Sequence, residues 1–321
     1  IARACEDHGT ICAVCHVLRY NFANTKVREL IQSGAIGEVL AINHTEPVGY
    51  YHFAHSFVRG NWRSEAESTN ALLAKCCHDV DLIASWMSHD QCVRVSSFGS
   101  LQHFRREKKP PAAGDAKRCV ECPIRGTCAY SATRLYLQSE HSEWAQHLVN
   151  GTPDIENVTE ALGAGPYGRC VYECDNDVCD HQVATFEFGS GATVTLTMIA
   201  TSERLCERET KVYGSAGELS TSDPRAVRHV DFATGRVVEH RPDAAAEASS
   251  RVLGGHGGAD GLLGDAFVRA VRADDRSLVL TGPRESLASH RLAFLADRSR
   301  KMGCVLPCGG GASREDGPRQ G

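Results

Sequence analysis

The chain has 321 residues, a formal net charge of −5, 42% hydrophobic residues and 23% charged residues. This composition is typical of a globular protein with room for two domains, and no apolar run approaches the roughly 18 residues that a membrane-spanning helix needs. The weakly acidic balance argues against nucleic-acid binding, which depends on clustered Lys and Arg. We therefore expect neither a membrane nor a nucleic acid as a partner.

The start of the chain and its cysteines qualify this picture. The sequence begins with Ile1 rather than Met, inside a helix-like segment, so we expect a fragment in which a targeting signal is not readable. Its fifteen cysteines are an odd number, spread along a chain too long for the disulfide-rich class. We interpret them as mostly reduced thiols in a cytoplasmic protein.

The first ninety residues predict alternating helices and strands. Gly9 and Gly34 suit the left-handed stops of two helices, and a third helix shows apolar residues at helical spacing. Apolar, β-branched runs between them predict strands. In chain order the predicted elements are a helix at 1–8, a strand at 10–17, a helix at 24–34, a strand at 38–48 and a helix at 71–87.

The remainder of the chain predicts an antiparallel sheet followed by helices. Two alternating segments flank Gly189-Ser190-Gly191, which predicts a hairpin. The predicted strands lie at 92–101, within 183–198 on both sides of that loop, at 209–213, at 227–232 and at 237–240, with helices at 260–272 and 286–301. The fold class that follows is α/β plus α+β.

A literal G-x-G-x-x-G pattern occupies residues 163–168. It indicates a dinucleotide-binding loop only between a strand and a helix, where the glycines bring a pyrophosphate to the helix N-terminus. No apolar strand precedes it and a strand-like segment follows, so we interpret it as a turn.

The predicted helix at 71–87 carries the residues best suited to proton transfer. Lys75 and His78 share one face, and Asp81 lies one step further along. Histidine suits general acid–base work near neutrality, a neighbouring Lys⁺ would lower its pKa, and Asp81 is able to orient it. From residue types alone, the alternative is a solvated face with an incidental histidine.

Two further polar stretches lie where a ligand could bind. Residues 16–20 (HVLRY) fall at the C-terminal end of a predicted strand, the usual ligand edge of an open α/β sheet. Residues 44–63 mix aromatic residues with His and Arg, which suits a cleft for a polyhydroxylated or anionic ligand. A packed, extended loop is the alternative for this second stretch.

A cysteine cluster supplies a candidate metal site. Cys119, Cys122 and Cys128 provide three thiols within ten residues, and a fourth ligand would come from Cys170, Cys174 or His181. Three interpretations stay open at this point: a structural zinc ion that fastens the loop at 105–130, unligated buried thiols, and an iron–sulfur or redox centre.

Several segments together resemble one family. They are HVLRY, IQSGAIGEV, EPVGYYHFAHSFVRGNWR, LLAKCCHDVDLIASWM, CVECPIRGTCAYSA, GPYGRCVYECDNDVCDHQ, VYGSAGEL and GGHGGADGLL. Their order and spacing resemble the Gfo/Idh/MocA family of NAD(P)-dependent oxidoreductases, which includes glucose–fructose oxidoreductase and inositol dehydrogenase. The resemblance covers about residues 1–305.

The resemblance implies a Rossmann domain followed by an α/β domain with a large, mostly antiparallel open sheet. It implies that residues 1–34 are the C-terminal remnant of the Rossmann domain and that 35–305 form the substrate domain. Within that domain, the helix at 71–87 packs back on the remnant. Residues 306–321 would be a disordered tail. The family's glycine-rich phosphate loop and Glu-Lys-Pro segment would precede Ile1, so the choice between NAD and NADP is not readable. A homo-oligomer through the open sheet is also implied.

The resemblance also implies roles for individual residues. His78 matches the catalytic histidine and Asp81 a common acidic residue, whereas Ala74 stands where the family has an Asp. We therefore expect Lys75 and His78 to share the proton transfer. The implied cofactor contacts are His16 and Arg19 near the nicotinamide and Trp62 and Arg63 near the phosphates. The implied substrate contacts are His55, Arg169, Asn176 and His181.

The expected function is an NAD(P)-dependent dehydrogenase of a sugar, cyclitol or related polyol. The fragment alone is expected to be inactive. One alternative is NAD-assisted glycoside cleavage on the same fold. The other is a non-catalytic binding or regulatory protein, which Ala74 would favour.

Overall fold

One nine-stranded sheet organises the protein in the computed structural model, which describes residues 1–138, 141–243 and 255–309. The strands are β1 (Val39–Pro47), β2 (Cys92–Ser100), β3 (His181–Phe188), β4 (Thr193–Ile199), β5 (Glu209–Gly214), β6 (Gly217–Asp223), β7 (Ala226–Asp231), β8 (Val237–His240) and β9 (Leu306–Pro307). Their spatial order is β8-β7-β6-β5-β1-β4-β3-β2-β9. Only β1 and β4 pair in parallel among these described strands. The expected large, mostly antiparallel open sheet is confirmed.

The described residues also form helices. They are α1 (Ala2–Asp7), α2 (Phe22–Gln32), α3 (Tyr50–Phe53), α4 (Ala71–Trp86), α5 (Ala132–Leu137), α6 (Ile155–Ala164), α7 (Ala259–Ala273) and α8 (Pro283–Met302). A 3₁₀ turn at Val17–Tyr20 precedes α2, and a π-helical turn at Ala54–Arg59 follows α3. Asn21 and Asn70 start α2 and α4 as N-caps, since their side chains accept the N–H groups of Ala23 and Leu73.

Helix α4 lies at the centre of the core. It packs on β1 and β4 on one side and on α8, α2 and the 3₁₀ turn on the other. Val80, Ile83 and Trp86 are fully buried on it. The same apolar cluster extends from the sheet to Val27 in α2. The expected contact between the helix at 71–87 and residues 1–34 is therefore present, while the proposed domain boundary after residue 34 stays a prediction.

Several predicted elements change in the structure. Residues 10–17 do not form a strand: Val14 N–H donates to Thr281 O, but a strand needs a partner strand, and no described strand lies beside it. Strand β6 was not predicted, because Gly217 and the polar residues after it lack an apolar alternation. Helices α5 and α6 lie in a region where the apolar residues show no clear helical period.

The glycines at 163–168 form the expected turn. Gly163 lies in α6, Gly165 ends that helix, and Gly168 closes a 3₁₀ turn. A helix precedes the pattern where a dinucleotide loop requires a strand.

The predicted disordered tail at 306–321 is wrong at its start. Leu306 and Pro307 pair with Val95 and Arg94 of β2, and Cys308 N–H donates to Val93 O. The rest of this prediction, from residue 310, lies outside the described residues. None of the helices in the described ranges has the length and hydropathy needed to cross a bilayer.

Candidate functional site

His78 projects from α4 into a group of imidazoles. Its ring centre lies 5.8 Å from that of His16 and 6.1 Å from that of His256. Its Nδ1 atom is buried and has no hydrogen-bond partner among the described residues. Burial, assisted by Arg208 and the two other imidazoles, lowers the pKa of His78 to about 4, although Asp79 opposes this shift. His78 is therefore neutral near pH 7.

One turn further along α4, Asp81 is the centre of a second group, which we call the Asp81 cluster: His16, Arg19, Asp81 and His290. Arg19 donates to both carboxylate oxygens of Asp81, at 2.6 and 2.8 Å. His16 Nδ1 lies 2.9 Å from Asp81 Oδ1, and its Nε2 lies 3.2 Å from His290 Nε2. Burial would raise the pKa of Asp81, but His16 and Arg19 outweigh it and lower the pKa. Asp81 thus holds His16 and Arg19 rather than His78.

A third group lies on the sheet side of α4. This Asp79 cluster consists of His44, Glu46, Lys75, Asp79 and Arg208. Arg208 Nε lies 2.9 Å from both Asp79 Oδ1 and Glu46 Oε2, and Lys75 Nζ lies 3.3 Å from Glu46 Oε1. His44 Nε2 lies 2.9 Å from Asp79 Oδ1. Two buried carboxylates thus share two cations, so the formal charges of these ion pairs balance.

The pKa values of the two carboxylates in the Asp79 cluster are shifted in opposite directions. Burial would raise the pKa of Asp79, but Arg208 and His44 hold it well below its usual range. Burial and the neighbouring Asp79 charge raise the pKa of Glu46. Burial also opposes the charge of Lys75, yet Glu46 raises the pKa of Lys75 above its ordinary value. Lys75 is therefore a cation.

Lys75 also contacts a thiol. Its Nζ lies 2.9 Å from Cys206 Sγ, and His52 Nδ1 lies 3.5 Å from the same sulfur. Cys206 adopts a positive φ of 57°, which is uncommon outside glycine and asparagine. Lys75 was expected to act together with His78. Its described contacts, however, are with Glu46 and Cys206. The pKa of His78 is lowered as expected, but by burial first rather than by Lys75.

A cavity of about 370 Å³ lies beside these clusters. Cys206 and Arg208 border it from the Asp79 side, Leu18 from the 3₁₀ turn, and His256 from the side of His78. Its other polar walls are Asn21, Asn24, His52, Glu207, Thr210, Thr221 and Asp223, and Trp144 adds an indole face. Amide, hydroxyl and carboxylate groups around an aromatic face suit a small ligand with several hydroxyl groups.

The four residues expected to contact the cofactor lie in two separate parts of the structure. His16 and Arg19 lie in the Asp81 cluster next to His78. Arg63 instead lies 3.1 Å from Asp175 and 2.9 Å from Glu67, and the neighbouring Trp62 side chain is 45% exposed.

The four expected substrate contacts are not brought around one cavity, and none of them lines the 370 Å³ cavity within the described ranges. His55 is buried in an aromatic cluster, where its Nδ1 lies 2.7 Å from Tyr136 Oη. Arg169 pairs with Asp175 at 2.6 Å, Asn176 donates to Phe104 O, and His181 contacts its neighbour Asp180.

The cysteine cluster is not arranged as a metal centre. In the part of the chain that the structure describes, no group of three or more Cys, His, Asp and Glu side chains is placed to hold a metal ion. Cys119 Sγ lies 3.5 Å from Arg59 Nη2, so a guanidinium stands beside one of the three expected ligands. Its positive charge opposes a second cation there. None of the fifteen cysteines, all of which are described, forms a disulfide in the structure, and their reduced state stays a prediction.

The sequence pointed to α4 but missed several partners of its side chains. Arg208, His256 and His290 lie far along the chain, and although the segment GGHGGADGLL carries part of the resemblance, nothing in it marked His256 as a site residue. One signal was available for His44 and Glu46. Polar residues two positions apart on a strand share a face, and these two lie on the buried side of β1.

Comparisons with known proteins agree with this architecture. A family model described as the GFO/IDH/MocA C-terminal domain matches residues 24–220. A Bacillus subtilis (strain 168) protein named "Putative oxidoreductase YteT" is 26% identical over 251 residues, which are 76% of this chain and 57% of that protein. The chain thus spans little more than half the length of this curated relative.

Solved structures show the same fold. An oxidoreductase domain protein from Kribbella flavida has a TM-score of 0.62 at 16% identity, with 96% of this chain and 68% of that one covered. A levoglucosan dehydrogenase in complex with NADH and levoglucosan has a TM-score of 0.60 at 12% identity, with 94% and 68% covered.

Proposed function

Because the chain belongs to the GFO/IDH/MocA family, we propose that it is the larger part of an NAD(P)-dependent oxidoreductase that acts on a sugar, cyclitol or related polyol. The substrate hydroxyl would lose its proton to the protein as its carbon loses a hydride. The bound nicotinamide would supply the hydride acceptor, NAD or NADP. The remaining chemistry falls to residues of this chain.

The observation that carries the proposal is the buried, unpartnered Nδ1 of His78. An orphaned ring nitrogen is costly unless a ligand satisfies it, and it lies between His16 and His256, next to a cavity with polar walls. We propose His78 as the general base in oxidation and the general acid in the reverse direction. Being neutral at pH 7, it is ready to accept a proton.

Lys75 has a supporting electrostatic role in this proposal. It is held as a cation by Glu46 and stands at the wall that Cys206 and Arg208 form. A fixed positive charge stabilises an alkoxide that develops nearby. Lys75 would therefore assist the proton transfer without itself gaining or losing a proton. This electrostatic stabilisation would offset the absence of an Asp at the position of Ala74, where the family has one.

Asp81 serves as a positioning residue. Its carboxylate fixes the orientation of Arg19 through two hydrogen bonds and lies 2.9 Å from Nδ1 of His16, whose ring lies next to that of His78. The nicotinamide end of the cofactor would lie against His16 and His78, whose ring centres are 5.8 Å apart. Trp62 and Arg63 remain proposed contacts for the rest of the cofactor.

The proposed substrate class rests on the cavity walls. Asn21, Asn24, Thr210, Thr221 and Asp223 offer the paired donors and acceptors that sugar hydroxyls need. The levoglucosan complex of a fold relative supports the same class. A second copy of the chain on the open sheet face is proposed as a partner, as the family resemblance implies.

The deciding experiment uses the complete gene product, since the chain covers 57% of its curated relative. It is incubated with NAD⁺ or NADP⁺ and a panel of sugars, cyclitols and glycosides, and the absorbance of reduced cofactor and the products are followed. Accumulation of reduced cofactor with one polyol supports the dehydrogenase. Glycoside cleavage without net reduced cofactor would replace it with the lyase-like alternative. Binding of a sugar without turnover would favour the regulatory alternative.

A further inference from the structure

Two thiols lie against each other at the edge of the sheet. Cys92 is the first residue of β2, and Cys308 follows β9, which stands at one end of the strand order. The two residues are 216 positions apart in the chain, yet their Sγ atoms are 3.2 Å apart. Neither residue lines the cavity of about 370 Å³. The pair is therefore separate from the proposed active site.

Strand geometry explains how the two sulfur atoms meet. The register of β2 shifts between Cys92 and Arg94, and as a result Cys92 and Val95 are both buried. In a regular strand, residues three positions apart would lie on opposite faces. Opposite β2, the N–H group of Cys308 donates to Val93 O at 2.9 Å. The backbone therefore holds both cysteines in place, and the contact does not depend on a flexible loop.

The two thiols differ in their surroundings. Cys92 is 9% exposed and belongs to the apolar core, whereas Cys308 is half-buried and packs against the core from the sheet edge. The hydrogen bond from Cys92 lowers the pKa of Cys308, although burial opposes this shift. The same hydrogen bond, together with burial, raises the pKa of Cys92. Cys308 thus forms a thiolate more easily, next to a Cys92 that keeps its proton.

We propose that Cys92 and Cys308 form an oxidative modification site, at which a hydroperoxide converts the two thiols into a disulfide. A disulfide bond is about 2.05 Å long, so sulfur atoms 3.2 Å apart need little movement to join. A partly accessible thiolate beside a second thiol is the usual arrangement of reversibly oxidised cysteines. The site does not depend on the oxidoreductase proposal, since it uses neither His78 nor the cavity beside it.

The reaction has two steps. The Cys308 thiolate attacks one oxygen of hydrogen peroxide, so an S–O bond forms and the O–O bond breaks. This gives a sulfenic acid and a hydroxide, which takes up the proton that Cys308 had released. The Cys92 sulfur then attacks the Cys308 sulfur, and the S–S bond replaces the S–O bond as the Cys92 proton leaves with the hydroxyl group in a second water. Each sulfur loses one electron, and the peroxide is reduced to two waters.

The disulfide would fasten the segment after α8 to β2. Helix α8 packs on both α4 and β2, and the short strand β9 is joined to β2 by only two residue pairs. A covalent bond between residues 216 positions apart restricts the unfolded chain strongly. We therefore expect the oxidised protein to unfold at a higher temperature than the reduced protein.

The test oxidises the folded, fully reduced complete gene product with a small excess of hydrogen peroxide. The remaining thiols are then alkylated, and the peptides are mapped by tandem mass spectrometry. We expect a peptide pair joined through Cys92 and Cys308, two hydrogens lighter than the sum of its parts, that dithiothreitol separates. If both thiols are still alkylated, or if Cys308 becomes a sulfinic acid without a cross-link, the proposal is wrong.

Two serine variants assign the cross-link. Cys308→Ser should abolish it, whereas the matched control Cys304→Ser, which replaces an exposed thiol four positions earlier, should keep it. Circular dichroism establishes that both variants are folded. Oxidation should raise the thermal midpoint of the wild type and of Cys304→Ser by roughly 3–6 °C and leave that of Cys308→Ser unchanged. Equal cross-linking in the two variants, or an equal midpoint with the cross-link present, would contradict the proposal.

Discussion

Asp81 on α4 holds the guanidinium of Arg19 through two hydrogen bonds of 2.6 and 2.8 Å, and the Asp81 side chain is completely buried. The pair joins the helix that carries His78 to the 3₁₀ turn at Val17–Tyr20. Such fork-to-carboxylate geometry fixes orientation as well as distance. The position of His16, which faces His78, therefore depends on Asp81.

Replacement of Asp81 by Asn tests this pair. The variant leaves the Arg19 charge buried without its counter-ion, so we expect a loss of about 3–5 kcal/mol in the free energy of unfolding. Urea denaturation at pH 7 measures it. Glu187→Gln is the control, because the Glu187–Arg94 pair reaches solvent and should contribute little. Equal stability of the two variants would show that Asp81 does not anchor α4.

Replacement of Arg208 by Gln tests the charge balance of the Asp79 cluster. It leaves the buried Glu46 and Asp79 with Lys75 and His44 as their remaining partners in the described ion pairs. The pKa of Glu46, already raised by burial and Asp79, should rise further. At Glu46 the folded state then binds more protons than the unfolded state, so the variant should lose less stability than the wild type as the pH falls from 7 toward 5. Denaturation at several pH values checks this sign.

Acid should destabilise the wild type through its buried histidines. Burial lowers the pKa of His78 to about 4 and that of His52 to about 3, from 6.5. The stability due to neutral His78 is complete above about pH 6.5 and is lost as the pH falls toward 4, a change of up to about 3 kcal/mol. His78→Gln should lose less stability over this range than the wild type. An unchanged pH dependence in that variant would place the pKa of His78 near its ordinary value.

Two glycines of the G-x-G-x-x-G pattern should respond oppositely to alanine. A Cβ on Gly168 would lie 1.7 Å from Leu162 O, so Gly168→Ala must displace backbone and should destabilise by a few kcal/mol. A Cβ on Gly163, inside α6, meets nothing within 4 Å, so Gly163→Ala should be neutral or stabilise by about 0.5–1 kcal/mol. Thermal unfolding separates the two. A stable Gly168→Ala variant would contradict the close packing of this turn.

Local patterns predicted much of the fold. Helix α4, the hairpin of β3 and β4, and the final helices follow from periodicity and turn residues, which act over short distances. The strand expected at 10–17 failed, because an apolar β-branched run specifies a strand only when a neighbour pairs with it. Strand β6 formed without such a run, since β5 and β7 supply its partners.

The site was predictable only where one short segment carried the signal. His78, Lys75 and Asp81 were recognisable on one helix, and His16 and Arg19 on one loop. Their pairing was not, because Asp81–Arg19 and Lys75–Glu46 depend on how α4 packs between the sheet and the 3₁₀ turn. The cysteine spacing suggested zinc, but spacing alone does not show that Arg59 lies beside Cys119.

The most direct test of the central claim compares turnover of the complete gene product and its His78→Gln variant, with the best polyol from the panel. We expect kcat to fall by about 10²–10⁴-fold, the usual contribution of a general base, while cofactor binding and the circular dichroism spectrum persist. The control His89→Gln replaces an exposed histidine beyond the end of α4 and should leave kcat unchanged. An unchanged kcat in His78→Gln would contradict the claim that His78 transfers the proton.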